Sequence, residues 1–221
     1  MNSYFVTGTD TGVGKTLVAA ALLHALAKRY PRVVGMKPVA AGHVRAGGSW
    51  TAEDAMALRE ASTVQVPAEL DNPILLPDPL SPHIAAERAG VRIDIALLVD
   101  RYRELSSHAD AVVVEGAGGF HVPLSKEETG ADLVQALSLP IVLVVGLRLG
   151  CLNHSALTIE AIRARGLSLA GWVANRIDPA MQAQEDNIAW LKRRLGAPLL
   201  ADIAYQATPD PRAIAIQLPP A

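Results

Sequence analysis

Gly8-Thr9-Asp10-Thr11-Gly12-Val13-Gly14-Lys15-Thr16 decides how the rest of the chain is read. The apolar Tyr4-Phe5-Val6 precedes it, and a long helical pattern opens at Lys15. Strand, glycine-rich turn, Gly-Lys-Thr and helix together make a phosphate-binding loop. Glycines let backbone N–H groups close on a polyphosphate, and the helix N-terminus adds positive potential. Lys15 is expected to reach the β- and γ-phosphates, and the Thr16 hydroxyl to ligate Mg²⁺. Gly8 stands one residue earlier than the usual spacing before Gly-Lys-Thr, so the loop is a variant.

Working outward, the apolar runs alternate with helical patterns. Strands are expected at Tyr4–Val6, Val33–Met36, Ala111–Val114, Ile141–Val145 and Leu169–Ala174, with a weaker one at Leu199–Ile203. Helices are expected at Lys15–Tyr30, Ala52–Ala61 with Thr51 as its cap, Ile84–Ala89, Ile93–Ser107, Asp132–Leu137, Cys151–Arg165 and Met181–Leu195. In the first helix Leu17, Ala20, Ala21, Leu23, Leu26 and Ala27 form a broad apolar face. The proline-rich stretch from Pro67 to Pro82 reads as a loop, and the tail after Pro209 as irregular. Uninterrupted β-branched strands separated by helices predict an α/β fold with a mostly parallel β-sheet covered by helices on both faces. Right-handed crossovers bring the strand C-terminal ends to one edge, where ligands bind. Polar and glycine-rich segments collect after these strands: Gly8–Thr16, Lys37-Pro38, Glu115–Gly119, Gly146–Asn153 and Asn175-Arg176.

Length and composition set bounds. The 221 residues suit one domain with a full-sized core, and half of them are apolar. A net charge of −2 points to no nucleic-acid or anionic-membrane partner. The lone Cys151 excludes an intrachain disulfide framework and fits a reducing, cytoplasmic setting. No basic flank precedes a long apolar core at the N-terminus, which argues against a cleaved signal peptide. The apolar run from Leu139 to Val145 is too short to span a bilayer. The six histidines show no metal-ligand spacing.

Several residues carry chemistry in this frame. Glu115 ends a buried strand, the expected place for a second Mg²⁺ ligand, and the glycines after it admit close backbone approach. Lys37 ends the second strand and can stabilise charge on a transferring phosphoryl group. Asp54, read alone, is an acid in a first helical turn that favours the helix dipole. Gly150 to Asn153 lie where a loop becomes a helix, and free N–H groups there could hold a carboxylate.

Taken together, the chain resembles the dethiobiotin synthetase family. The resemblance is carried by Tyr4–Thr16, Lys37-Pro38-Val39-Ala40-Ala41-Gly42, Ser81-Pro82-His83-Ile84, Val114-Glu115-Gly116-Ala117-Gly118-Gly119, Leu149-Gly150-Cys151-Leu152-Asn153-His154 and Gly171-Trp172-Val173-Ala174-Asn175. These occur in order from the first strand to about residue 205. The resemblance implies one domain of P-loop NTPase-like, three-layer α/β/α architecture over residues 1–221. It implies ATP as co-substrate, Mg²⁺, CO₂ and 7,8-diaminopelargonic acid as small-molecule partners, and dethiobiotin, ADP and phosphate as products.

By position it assigns catalysis to Lys37, Lys15 and Thr11, and metal ligation to Thr16, Asp54 and Glu115. ATP is assigned to Gly12, Val13, Gly14, Lys15, Thr16, Leu17, Asp54, Glu115, Gly116, Ala117, Gly118, Asn175 and Arg176, with Ala204, Tyr205 and Gln206 lining the base pocket. The substrate is assigned to Thr11, Lys37, Ala41, Ser81, Gly150, Cys151 and Asn153. The family's active site lies at a homodimer interface, so Gly150 to Asn153 are implied to serve the partner's substrate. Ala41 stands where some members place a hydroxyl, and Arg176 where an acid can occur.

Three rival readings share the fold. A partitioning-type ATPase switch carries a lysine at the loop position held here by Asp10. A related amidoligase needs an ammonia source that the chain has no room for. A nucleoside kinase would transfer phosphate without bicarbonate.

Overall fold

The computed structural model describes residues 2–46 and 48–219; Met1, Gly47, Pro220 and Ala221, all within the expected 1–221 domain, lie outside them. In chain order the elements are β1 (Tyr4–Gly8), α1 (Lys15–Ala27), β2 (Val33–Met36), β3 (Val39–Ala41), β4 (Val44–Ala46), β5 (Ser49–Thr51), α2 (Glu53–Ala61), α3 (Ala68–Asp71) and β6 (Ile74–Leu76). There follow α4 (Pro82–Ala89), α5 (Ile95–Ser107), β7 (Ala111–Gly119), α6 (Gly130–Leu137), β8 (Ile141–Gly146), α7 (Cys151–Ala164), β9 (Leu169–Asn175), α8 (Gln184–Leu195) and β10 (Leu199–Ile203).

Six strands form one sheet in the order β10-β9-β8-β1-β7-β2, and every neighbouring pair is parallel. Side chains alternate between its faces, as the two-residue period of a strand requires. Tyr4, Val6, Val113, Val142 and Val144 join one buried cluster with α1 and Leu58 and Ala61 of α2. Phe5, Val112, Val114, Leu143 and Trp172 join the opposite cluster with α5, α6, α7 and α8. The result is the expected three layers. A Val, Leu or Phe buried this fully contributes about 1.5–3 kcal/mol, so apolar runs with both faces covered specify the sheet strongly.

The first helix departs from its expected face. Val18, Ala19 and Leu22 are buried too, while Leu17 and Ala27 are only partly so. The reason is a third covering layer: Ile214, Ile216 and Leu218 of the irregular tail pack on the same cluster. The helix also ends at Ala27, earlier than Tyr30, and the Arg29 N–H closes onto Leu26 O in a tighter i→i−3 turn.

Two other expectations are corrected. Residues 67–82 are not simply loop. They contain α3 and β6, and β6 pairs in parallel with β3, Val39 opposite Ile74. Thr51 does not cap α2. It ends β5, Ala52 takes the cap position, and the Thr51 hydroxyl accepts from Arg59 Nη1 at 3.1 Å. No helix among the described residues is long and apolar enough to cross a membrane.

Candidate functional site

Strand register builds the site. Val6 is level with Glu115 across β1 and β7, and Met36 is level with Val114 across β7 and β2. Thr7, Lys37 and Glu115 therefore leave the sheet side by side at its C-terminal edge. The segment first read as loop anchors Lys37. Its N–H donates to Asp71 O at 2.7 Å, and Asn72 Nδ2 donates to Lys37 O at 2.7 Å. Arg59 on α2 grips Asp71 with two hydrogen bonds, Nε to Oδ2 at 2.6 Å and Nη2 to Oδ1 at 2.5 Å. The same helix carries Asp54 in its first turn.

The loop after β1 turns through two left-handed glycines, Gly12 at φ 73° and Gly14 at φ 91°. Gly14 occupies the N-cap position of α1. Lys15 Nζ donates to Asp10 O at 3.0 Å, and Asp10 Oδ1 accepts from Thr11 N at 2.7 Å. Asp10 also pairs with Arg148, which follows β8. From below, Asn175 Nδ2 donates to Val13 O at 2.9 Å. The phosphate loop is thus tied to the ends of β8 and β9 as well as to its own helix.

Four groups from four elements meet at the floor. Lys37 Nζ stands 2.7 Å from Asp54 Oδ2 and 2.8 Å from Glu115 Oε1. The Thr16 hydroxyl lies 3.1 Å from Asp54 Oδ1 and 2.9 Å from Glu115 Oε1. Burial alone would lower the Lys37 pKa, but the Glu115 and Asp54 carboxylates raise it above the ordinary lysine value. Burial would likewise raise Asp54, yet Lys37 and the Thr16 hydrogen bond hold it below the usual carboxylate range. Lys15 has less compensation. Burial, then the neighbouring Lys37, bring it down to about 8 against the pull of Glu115, Asp54 and Asp10.

The set fits a hard divalent cation. Glu115 Oε2 is buried without a hydrogen-bond partner, and two carboxylates with a hydroxyl are the oxygen donors that Mg²⁺ takes beside phosphates and waters. Among the described residues no group of three or more His, Cys, Asp or Glu is placed to hold a metal, so the Thr16 hydroxyl is an integral donor.

Thr11, Gly12, Gly14, Lys15, Thr16, Lys37, Ala41, Asp54, Ser81, Glu115, Ala117 and Gly118 line one cleft. Val13 is buried beneath it and Leu17 is partly buried on α1. Gly116 packs so closely on Phe5 that a Cβ would meet the ring at 2.9 Å. Asn175 and Arg176 stand beyond, at the end of β9. Arg176 is held by Asp202 at 2.8 Å and Glu185 at 2.5 Å. Ala204, Tyr205 and Gln206 are exposed just past β10, next to them, since Arg176 N donates to Ile203 O. Gly150, Cys151 and Asn153 are outside this cleft: Gly150 caps α7 at φ 97°, Cys151 is buried, and Asn153 is exposed.

Residue-by-residue reading missed Val39, Pro79, Leu80, Pro82 and Val122, which also line the cleft. The cluster of prolines after β6 was the available signal for a wall there. It also missed the Asp10–Arg148 tie, for which a pair so distant in the chain leaves no local sign.

The model of the family described as AAA domain (AAA_26) matches residues 2–212. Among solved structures, the chain is similar to a ParA family ATPase from Chlorobium tepidum TLS, with 16% identity, coverage of 94% of this chain and 86% of that one, and a TM-score of 0.58. It is similar to the MinD cell division protein of Aquifex aeolicus at 18% identity, 94% and 84% coverage and TM-score 0.56. The MinC:MinD cell division protein complex of the same organism gives 19%, 94%, 83% and 0.55. At these identities the likeness is one of fold alone, a parallel sheet flanked by helices of P-loop NTPase-like type.

Proposed function

The chain belongs to the AAA domain family, which includes dethiobiotin synthetase-like P-loop ATPases, and on that premise we propose that it catalyses the ATP-dependent carboxylation and ring closure of 7,8-diaminopelargonic acid to dethiobiotin. The observation that carries this reading is the meeting of two lysines, two carboxylates and a hydroxyl in one cleft beside the phosphate loop.

In the proposed reaction one amine adds to CO₂ and loses a proton, giving a carbamate. A carbamate oxygen attacks the γ-phosphorus of ATP and ADP leaves, giving a carbamic-phosphoric anhydride. The second amine attacks its carbonyl carbon and loses a proton, and phosphate leaves as the cyclic urea closes. The protein's part is positioning and charge neutralisation. Gly12, Val13, Gly14, Lys15, Thr16 and Leu17 form the phosphate cradle. Lys15 and Lys37 face the γ-phosphate and carbamate oxygens, and Thr11 orients the reacting amine. Thr16, Asp54 and Glu115 would hold Mg²⁺, which neutralises β- and γ-phosphate charge when bound. Gly116, Ala117 and Gly118 admit the ligand close to the backbone. Asn175, Arg176, Ala204, Tyr205 and Gln206 form the base end.

The substrate end uses Ala41 and Ser81, with Gly150, Cys151 and Asn153 of the partner subunit in a homodimer. Their position outside the protomer's own cleft is what a contribution in trans requires. With Ala41 lacking a hydroxyl, the diamine is held less tightly without loss of phosphoryl transfer. Residues 1–221 act as one domain in the cytoplasm, with neither nucleic acid nor membrane as partner. The switch-ATPase reading is disfavoured by Asp10, an anion bound to Arg148 where that class carries a lysine.

The test is a mass-spectrometric product assay with the diamine, bicarbonate, Mg²⁺ and ATP, each left out in turn. Dethiobiotin in the full mixture alone, with matching ADP, is the expected result; ATP hydrolysis indifferent to the diamine would falsify the ligase reading. Light scattering of the active protein should give the mass of a dimer, and full turnover by a monomer would remove the shared site.

The Lys15 pKa of about 8 adds a pH dependence. A triphosphate favours the charged ammonium, so binding raises this pKa and takes up a proton near pH 8. ATP affinity is therefore full below that pH and declines above it. Calorimetry in buffers of different ionisation enthalpy reads the uptake directly; heats at pH 8 that do not depend on the buffer would remove Lys15 as the titrating group.

A further inference from the structure

We propose that Lys37 is the resident cation of the seat formed by Thr16, Asp54 and Glu115, and that a divalent metal entering with the nucleotide displaces its ammonium group into the cleft. The inference rests on the functional reading's choice of metal ligands and adds an order of events to it.

The geometry is that of an occupied seat. Lys37 Nζ is within 2.8 Å of a carboxylate oxygen from each of two elements, Asp54 on α2 and Glu115 on β7. The Thr16 hydroxyl spans the same two carboxylates on the other oxygen of Asp54 and the same oxygen of Glu115. Glu115 and the Lys37 side chain are almost wholly buried, at 1% and 4% exposure, so water supplies little alternative solvation. A divalent ion and an ammonium group in one seat compete for the same lone pairs and repel each other strongly at such distances. Lysine is suited to yield, being a compact charge on a flexible four-carbon stem. Gly116 O, 3.3 Å from Nζ, offers an acceptor that does not depend on either carboxylate.

Lys15 is placed differently. Its ammonium group donates to the loop carbonyl of Asp10 rather than to the carboxylate pair. Without metal, then, Lys37 is committed to Asp54 and Glu115 and is withheld from an incoming anion. With metal it is released beside the phosphates. The cation most needed for the transferring group becomes available only when the nucleotide is loaded with its metal.

Two measurements test this. The first is the crystal structure of the wild-type protein with Mn²⁺ and a non-hydrolysable ATP analogue. The expected result is Mn²⁺ on the Thr16–Asp54–Glu115 set with Lys37 Nζ more than about 4 Å from both carboxylates, beyond ion-pair range. Mn²⁺ bound there with Lys37 still bridging both carboxylates overturns the proposal alone. Mn²⁺ bound to other residues overturns the metal assignment, and the functional reading with it. The second is electron paramagnetic resonance of Mn²⁺ binding without nucleotide. Lys37→Met should tighten binding by about tenfold or more and Lys15→Met by less than about threefold, since only the former empties the seat. Equal gains in the two variants, or none in Lys37→Met, overturn the displacement.

Discussion

On the proposed reaction, Lys37→Met is expected to lower the rate of dethiobiotin formation by about 10³-fold, the scale of losing one preorganised charge-stabilising donor, with the KM for ATP changed far less. The asymmetry follows from position. In the proposed reaction the loop and Lys15 cradle the phosphates, whereas Lys37 follows β2 and stands on the floor of the cleft beside Asp54 and Glu115. Before metal and nucleotide bind, its charge is secure, because Glu115 and Asp54 raise its pKa. Methionine keeps the length of the stem and deletes only the cation. It also leaves Glu115 buried with a diminished set of partners, and breaking a buried pair in this way costs about 3–5 kcal/mol. Thermal melting belongs beside the kinetics for that reason. A folded variant that keeps kcat within about tenfold of wild type would take Lys37 out of the chemistry.

Gly14→Ala is expected to weaken ATP binding by about 10²-fold, from backbone strain of about 1–3 kcal/mol plus displacement of the loop. Gly14 has φ 91°, a conformation that L side chains rarely adopt, and its added Cβ would collide with Asn175 Nδ2. That atom cannot swing aside freely, because Asn175 is buried and its amide holds Val13 O. Moving it would release the loop from the end of β9. Gly12→Ala separates the two causes. Gly12 has φ 73° but nothing within 4 Å of its added Cβ, so only strain applies and the loss should be about tenfold. Calorimetric titration of both variants, with circular dichroism to confirm the fold, reads the difference. Equal losses would mean that the Asn175 contact does not govern the loop.

The central sheet was legible because its strands are buried on both faces. Val33–Met36 and Leu199–Ile203 appear with their expected bounds, and β7, β8 and β9 differ only by extending into the polar segments after them. The three-residue strands β3 and β6 were not legible. Each is too short for a period to register, prolines flank them, and their pairing joins residues 35 apart, Val39 with Ile74. Thr51 failed as a cap for a related reason: its hydroxyl is claimed by Arg59, which lies two helical turns on and is oriented by Asp71.

The candidate site divides along the same line. A phosphate loop between a strand and a helix is a local object, so Gly12, Gly14, Lys15 and Thr16 could be named from their spacing alone. The sheet and its ligand edge followed from apolar runs whose burial is favourable wherever they pair. Asp54 was another matter, since a first-turn acid has a sufficient local reason to be where it is. Only the docking of α2 against α1, with Arg59 drawing Asp71 and hence the Lys37 backbone into place, sets its carboxylate 2.7 Å from Lys37 Nζ. Sequence by itself determined the long elements and the phosphate loop, because these depend on neighbours in the chain. Tertiary structure alone decided which charges face one another, because Coulomb interactions act between groups that folding brings within a few ångströms, however far apart the chain carries them.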